Sequence, residues 1–431
     1  MSPLLQPGQI VRTHSSGIPC VVKRFIGGGG QGEVYEVDLH GQSLALKWYF
    51  PQYLPYDPTL RHRIGTAIAT GAPSERFLWP IELVSVPGYS GFGYLMTLRN
   101  HEFHGMVDLL AGRIHPSFRA LTIAGRQLAD SFLQLHSKGL CYRDISHNNV
   151  FLHPQTGDVL ICDNDNVSIV GEEAAVLGTG RFMAPEVVRG EALPNRETDL
   201  HSLAVLLFWM LMMHHPLEGR LEAVMMVRDE LRLFGLEPRF IFDPKDDSNR
   251  PEPGYQDNAL IFWPLYPQFL RDMFTMAFTQ GLQDPSRRVA ESLWRSTMVR
   301  LRDAVFDCPH CEHENFFDAQ QTDAYTCWNC RKSIPAPVRI HIGRQVIALN
   351  PDTQLYPHHV DSRRLYDFSR PVAAVMYDPN GNRWGLRNLS STPWKITAAD
   401  GSNAELPNGR TLVLKAGYKI NFGTAEGEIR L

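Results

Sequence analysis

The stretch Tyr142-Arg143-Asp144-Ile145-Ser146-His147-Asn148-Asn149, followed by Ile161-Cys162-Asp163-Asn164-Asp165, restricts what this chain can be more than any other. It sets an Asp, an Asn five residues later, and a second Asp beyond a short apolar hairpin. Those are the polar groups a phosphoryl-transfer site needs. One acid can receive or orient a hydroxyl proton, while the Asn and the second Asp can hold Mg²⁺ against a nucleotide's phosphates.

The chain's 431 residues predict two to four domains, enough for sizeable cores. A hydrophobic fraction of 43% and a charged fraction of 20% are those of an ordinary globular protein. The net charge of -4 gives no general pull toward nucleic acid or an anionic membrane. The opening MSPLLQPGQIVRTHSSG lacks a basic stretch followed by an apolar one, so a cytoplasmic protein without a secretory signal is expected. The longest apolar run, Leu203 to Met213, has 11 residues, too few to span a bilayer, and reads as a buried helix.

Three regions separate by composition. Residues 1 to about 300 mix strand-like and helical patterns, about 305 to 335 are rich in Cys, His and Asn, and about 338 to 431 read as all-β. In the first region Pro19 to Ile26, Glu33 to Leu39 and Ser43 to Phe50 read as strands. A helix follows, with Asp57 as its expected cap, Pro58 at its first position, Leu60, Ile64 and Ile68 on its buried face, and Gly71 with Pro73 at its end. Trp79 to Val86 and Gly93 to Leu98 are two more apolar segments, joined by a Pro87-Gly88 turn. Ala120 to His136 and Asp199 to Met213 read as long helices. A small β-rich lobe before a larger helical lobe predicts a cleft between them.

The run from Gly27 to Val34 fits G-x-G-x-x-G-x-V with Gly27, Gly29, Gly32 and Val34. Glycines there let backbone N–H groups approach phosphate oxygens without Cβ atoms in the way. A flexible turn between two strands would look similar. Lys47, ending the apolar Leu44-Ala45-Leu46, adds the context of a phosphate-pairing strand lysine.

With these elements in order, residues 19 to 300 resemble the eukaryotic-like protein kinase family. The resemblance implies an α+β, two-lobed fold, with an N-lobe of about 1–98 and a C-lobe of about 99–303. It also implies ATP and Mg²⁺, and transfer of a γ-phosphoryl group to a Ser or Thr of a protein substrate. It assigns Asp144 to the catalytic loop, Asn149 and Asp163 to the metal, and Lys47 to the phosphates. Met96 takes the gatekeeper place and Thr97 to Arg99, with Leu98 central, the adenine-binding hinge. Met183-Ala184-Pro185-Glu186 matches the end of the activation segment, with Arg288 as the partner of Glu186. Asp199 matches the buried acid that braces the catalytic loop.

The departures from the family pattern define an alternative, a pseudokinase scaffold that binds nucleotide or partners without catalysis. Residues 58 to 70, PTLRHRIGTAIAT, hold no acid to pair with Lys47; Asp57 precedes them and Glu75 follows Gly71. Ser146 stands where a Lys is usual, and Tyr142 where a His is. Asn164-Asp165 replaces Phe-Gly, removing an aromatic plug and adding a carboxylate, which reads as a turn acid or as a further metal ligand. Arg143 implies a counter-charge from the activation segment. Glu172 or Glu173 could partly supply it, while Thr179 is expected to position the substrate loop beside Asp144.

Four of the seven cysteines form Cys308-x-x-Cys311, fifteen residues, then Cys327-x-x-Cys330. Two such knuckles predict four thiolates around a structural Zn²⁺, with no open coordination position. His310 and His313 are possible substitutes. Cys20, Cys141 and Cys162 read as plain core residues. Acidic neighbours (Asp307, Glu312, Glu314, Asp318, Asp323) argue against nucleic-acid binding.

Beyond the knuckles, Val338, Ile340 and Ile342 alternate as a strand, and Asn380-Gly381, Asp400-Gly401 and Asn408-Gly409 mark turns. Ile340 to Arg344, Trp384 to Ser390 and Gly417 to Gly423 resemble a forkhead-associated (FHA) β-sandwich. Gly343-Arg344 and Asn388 match its phosphothreonine-reading loops only loosely, and Tyr356-Pro-His358-His359 lies where a Ser-x-x-His is usual. A sandwich used for protein contacts is expected. The three modules, set at 1–303 (kinase-like), 304–335 (zinc ribbon) and 336–431 (FHA-like), together resemble a bacterial kinase group associated with tellurite-resistance and stress-response systems. That resemblance implies a von Willebrand A-domain protein and a metal-dependent protein phosphatase as partners; the charge and the short apolar run lead to no membrane partner being expected.

Overall fold

The computed structural model describes residues 3–86, 91–169, 177–224, 230–321, 324–378 and 383–430. The expected Pro87-Gly88 and Asn380-Gly381 turns, together with Glu172, Glu173 and Asp323, lie outside them. The chain divides into two compact units, Met1–Pro264 with Arg271–Ser296, and Leu265–Leu270 with Thr297–Leu431.

The first unit opens with a closed barrel of six antiparallel strands. Ile10–Thr13, too short to stand out in the sequence, pairs with both Pro19–Gly28 and Glu82–Ser85 and so closes it. Next come Gly32–Leu39, Gln42–Tyr49 and Gly93–Thr97. Val11, Cys20, Val22, Tyr35, Val37, Leu46 and Val84 fill one side of this sheet, as the period-two alternation requires. Leu60, Ile64 and Ile68 of helix Leu60–Thr70 pack with Ala45, Tyr49, Tyr94 and Met96 on the other.

The start of that helix differs from expectation. Thr59 is its N-cap, without a side-chain cap bond. Asp57 is instead paired to Arg63, with Nη1 and Nη2 donating at 2.9 and 2.7 Å, and both side chains are buried. A buried guanidinium gains more from a two-point carboxylate pair than an exposed helix end gains from one cap bond. Gly71, at φ 71°, ends the helix as expected.

Helices dominate the rest of this unit. Phe118–Ser137 is capped by Ser117, whose Oγ accepts from Ala120 N at 3.1 Å. Arg196–Met212 begins with a capping box between Asn195 and Thr198 and is buried nearly all round, which accounts for its apolar run. Among the described residues no helix is long and apolar enough to cross a membrane.

The second unit is mostly β. Two short hairpins, Val305–Asp307 with Glu314–Phe316 and Tyr325–Thr326 with Ser333–Ile334, carry the four clustered cysteines at their turns. Beyond them a six-stranded and a four-stranded antiparallel sheet share one core that includes Ile340, Leu355, Val375, Leu386, Trp394 and Ile420. Asp400-Gly401 turns between the paired strands Trp394–Thr397 and Asn403–Leu406. Asn408-Gly409 does not close a hairpin; it carries the chain from Asn403–Leu406 in one sheet to Thr411–Val413 in the other.

Candidate functional site

The catalytic-loop candidate lies between the strands Leu140–Cys141 and Val150–Leu152 and is fixed by its backbone. Asp199 of the buried helix accepts from Tyr142 N at 2.6 Å and from Arg143 N at 2.9 Å. Its Oδ2 also meets His136 Nε2 at 3.0 Å. On the far side His136 faces Glu291, which accepts from Arg196 at 2.8 Å. Burial would strip the proton from His136, but its bonds to Asp199 and Glu291 outweigh that and raise its pKa to about 9. The same chain of bonds lowers Glu291 to about 2 despite its burial. The catalytic loop thus rests on a buried charge relay that its own sequence does not contain.

Within the loop, Asn149 Nδ2 donates to the Asp144 carbonyl at 2.9 Å and to Asp144 Oδ2 at 3.0 Å. Thr179 Oγ1 donates to the other carboxylate oxygen at 2.7 Å, so the expected neighbourhood of Thr179 and Asp144 is present. Burial raises the Asp144 pKa, although the bonds from Thr179 and Asn149 oppose it. A half-buried acid with a raised pKa suits proton acceptance better than a fully solvated one. Tyr142 is fully buried and its hydroxyl donates to the Cys162 carbonyl. Cys162 N in turn donates to the Asn149 carbonyl at 3.0 Å, tying the loop to the strand that delivers Asp163. Asp163 sits at φ 53°, a left-handed conformation that Asp adopts at a cost and that turns its carboxylate out of the strand. Ser146 is fully buried and its Oγ has no hydrogen-bond partner, so it replaces the usual cation with a packed, silent side chain.

Lys47 is not unpaired. Its Nζ lies 2.8 Å from Asp165 Oδ2, 3.3 Å from Asp163 Oδ1 and 3.1 Å from Gln31 Oε1. Burial works against its charge, yet the two carboxylates more than compensate and hold its pKa above the ordinary lysine value. Asp165 is not a solvent-facing turn acid. Its side chain is buried completely, and it also accepts from the Tyr49 hydroxyl. Asn164 fills the place of the expected aromatic plug and is pinned by Nδ2 bonds to Leu78 O at 2.9 Å and Ile161 O at 3.1 Å.

The glycine loop is the hairpin between Pro19–Gly28 and Gly32–Leu39, with Gly27 opposite Val34. A Cβ on Gly27 or Gly29 would meet nothing within 4 Å, leaving those backbones open to a ligand. Gly32 is different, because a Cβ there would lie 2.2 Å from Trp48 O. Strand packing alone requires that glycine. Val34 pairs in register with Lys47, and both line the sheet beside Ala45 and the buried Met96. Leu98, just past strand Gly93–Thr97, packs partly buried in the same cluster. At the end of the activation segment, Arg288 donates to both oxygens of Glu186 at 2.7 Å.

The cysteine cluster of the second unit is built from two equivalent knuckles. Cys308 N and Cys327 N each bond the carbonyl five residues on, of His313 and Lys332, at 2.9 Å. Glu312 N and Arg331 N return to the carbonyls of Cys308 and Cys327 at 2.9 Å, and both adopt positive φ, 62° and 60°. The four Sγ atoms lie within 4.8 Å of one another, with Cys308–Cys330 at 3.8 Å and Cys311–Cys327 at 3.6 Å. Four thiolates bound at ~2.3 Å around one tetrahedral Zn²⁺ stand about 3.8 Å apart, so the cluster fits that ion and is too open for disulfides. Neither His310 nor His313 belongs to the set; His313 Nδ1 lies against the Cys311 carbonyl at 3.1 Å.

The fold and first site are similar to those of a protein kinase domain. Residues 101–262 match the family model described as protein kinase domain. Over 224 residues, 46% of this chain and 25% of the relative, the sequence is 29% identical to serine/threonine-protein kinase pkn2 of Myxococcus xanthus. It is 31% identical over 120 residues to protein kinase MCK1 of Saccharomyces cerevisiae, covering 27% of this chain and 32% of the relative. It is 36% identical over 88 residues to protein kinase C-like 1 of Candida albicans, covering 20% and 8%. Residues 101–262 are thus similar to protein kinase domains, and the chain spans about a third or less of the length of these relatives.

Proposed function

We propose that this protein is an ATP- and Mg²⁺-dependent kinase that phosphorylates Ser or Thr in a protein substrate, within a bacterial signalling or stress-response system. The observation that carries the reading is the convergence of Asp144, Asn149, Asp163 and Lys47. These residues come from three separate segments, the strand of Lys47, the loop of Asp144 and Asn149, and the turn of Asp163, and direct bonds join Asp144 to Asn149 and Asp163 to Lys47. Asn149 and Asp163 are the residues that would hold Mg²⁺, which when bound neutralises charge on the phosphates. Lys47 and the open glycine-loop backbone grip the phosphates, with Met96 and Leu98 placed for the base. Asp144 takes the proton of the attacking hydroxyl as its oxygen bonds to phosphorus and the bridging β–γ P–O bond breaks.

In this reading residues 1–303 form the kinase module, 304–335 a Zn²⁺-held ribbon and 336–431 an FHA-like sandwich that docks proteins. Partners are a von Willebrand A-domain protein and a metal-dependent protein phosphatase, and the location is cytoplasmic. The test is phosphoamino-acid analysis after incubation with labelled ATP, Mg²⁺ and those candidate partners. Label on Ser or Thr that disappears in Asp163→Asn supports the reading. Label indifferent to Asp163→Asn rejects it and leaves a non-catalytic scaffold.

A further inference from the structure

We propose that Asp165 is the positioning residue of Lys47, taking over a task that a helix acid performs in kinases with the usual pattern, so that lysine alignment is set by the root of the activation segment. The inference rests on the kinase reading of Lys47. An ammonium has three donors, and all three are used, on Gln31, Asp163 and Asp165. The shortest of these bonds, 2.8 Å, goes to the only fully buried carboxylate of the two, since the Asp163 side chain is 43% exposed. Asp163 is thereby left free to turn to a metal without stranding Lys47.

Asp165 cannot swing away easily. Tyr49 holds its side chain, Arg63 Nε donates to its carbonyl at 3.3 Å, and Asn164 is bonded to Leu78 and Ile161 just before it. Helix Leu60–Thr70 has inverted its usual part. It presents a cation, Arg63, balanced by Asp57, to the segment's backbone, and no anion to the lysine. Movement of this helix therefore does not make or break the Lys47 pair directly.

The test compares wild type with Asp165→Asn, Asp165→Glu, Tyr49→Phe and Glu75→Gln. It measures kcat and KM for ATP, and separately the calorimetric affinities for Mg-ADP and for adenosine. Asp165→Asn should lower kcat and the preference for Mg-ADP over adenosine by about tenfold to a hundredfold, the worth of a charge-assisted bond, with adenosine affinity unchanged. Asp165→Glu should recover part of both. Tyr49→Phe, which removes only the hydroxyl, should move the same ratio by about threefold and serves if Asp165→Asn does not fold. Glu75→Gln, at an exposed acid beyond the helix, should change nothing. Unchanged kcat and nucleotide preference in a folded Asp165→Asn, or in Tyr49→Phe where it does not fold, overturns the proposal. An Asp165-dependent preference in a protein that transfers no phosphoryl supports the positioning role and overturns the proposed function.

Discussion

Arg288 and Glu186 face each other fork to fork, with two N–H···O bonds of 2.7 Å between residues 102 apart in sequence. The arginine side chain is only 2% exposed. Removing one partner of such a pair leaves the other charged, buried and uncompensated. Arg288→Ala should lower the unfolding free energy by about 3–5 kcal/mol, whereas Arg288→Met with Glu186→Leu should cost clearly less. Denaturant titration of the two variants checks this.

The His136 relay predicts a pH dependence of stability. His136 has a folded pKa of about 9, above its ordinary 6.5, so its contribution is complete below 6.5 and is lost as pH rises through 9. The loss is on the order of 3 kcal/mol. Glu291, lowered to about 2, contributes fully above its ordinary 4.5 and loses its share only as pH falls toward 2. Unfolding free energy should therefore be flat from about pH 4.5 to 6.5 with respect to this pair and decline toward pH 9. In His136→Gln the alkaline decline should shrink to the background of the remaining groups.

Glycine substitutions should separate packing from ligand contact. Gly32→Ala puts a methyl 2.2 Å from Trp48 O and should destabilise by more than ~2 kcal/mol. Gly29→Ala meets nothing within 4 Å and should stay within about 0.5 kcal/mol of wild type while raising KM for ATP. Thermal unfolding and steady-state kinetics on both variants decide the matter.

These residues also show what the sequence could and could not reveal. Both cysteine knuckles and the long helices are local patterns readable from spacing, whereas the glycine run by itself reads equally as a flexible turn until Lys47 gives it context, and the catalytic loop takes its residue roles from a family resemblance. The Lys47–Asp165 pair joins residues 118 apart, and only the folded barrel brings Tyr49, Arg63 and Asp165 together. Asp57 looked like a helix cap because cap rules see neighbours within one turn, while the buried Arg63 sets the stronger claim. The Ile10–Thr13 strand was missed because four residues carry too little alternation to register. Asn408-Gly409 is a true turn, but a dipeptide cannot tell whether its flanking strands share a sheet.

The cysteine cluster predicts one Zn²⁺ per chain by elemental analysis, and none in Cys327→Ser. Because so small a module has little core of its own, chelation should release its amides. Hydrogen exchange across 305–334 should rise by orders of magnitude on metal removal, with the Phe306, Tyr325 and Ile334 amides reporting.

The central claim is that Asp144 takes the acceptor's proton in phosphoryl transfer. Single-turnover transfer from labelled ATP should fall by about a thousandfold or more in Asp144→Asn, with Mg-ATP affinity held within about threefold. Equal transfer by wild type and Asp144→Asn would contradict it.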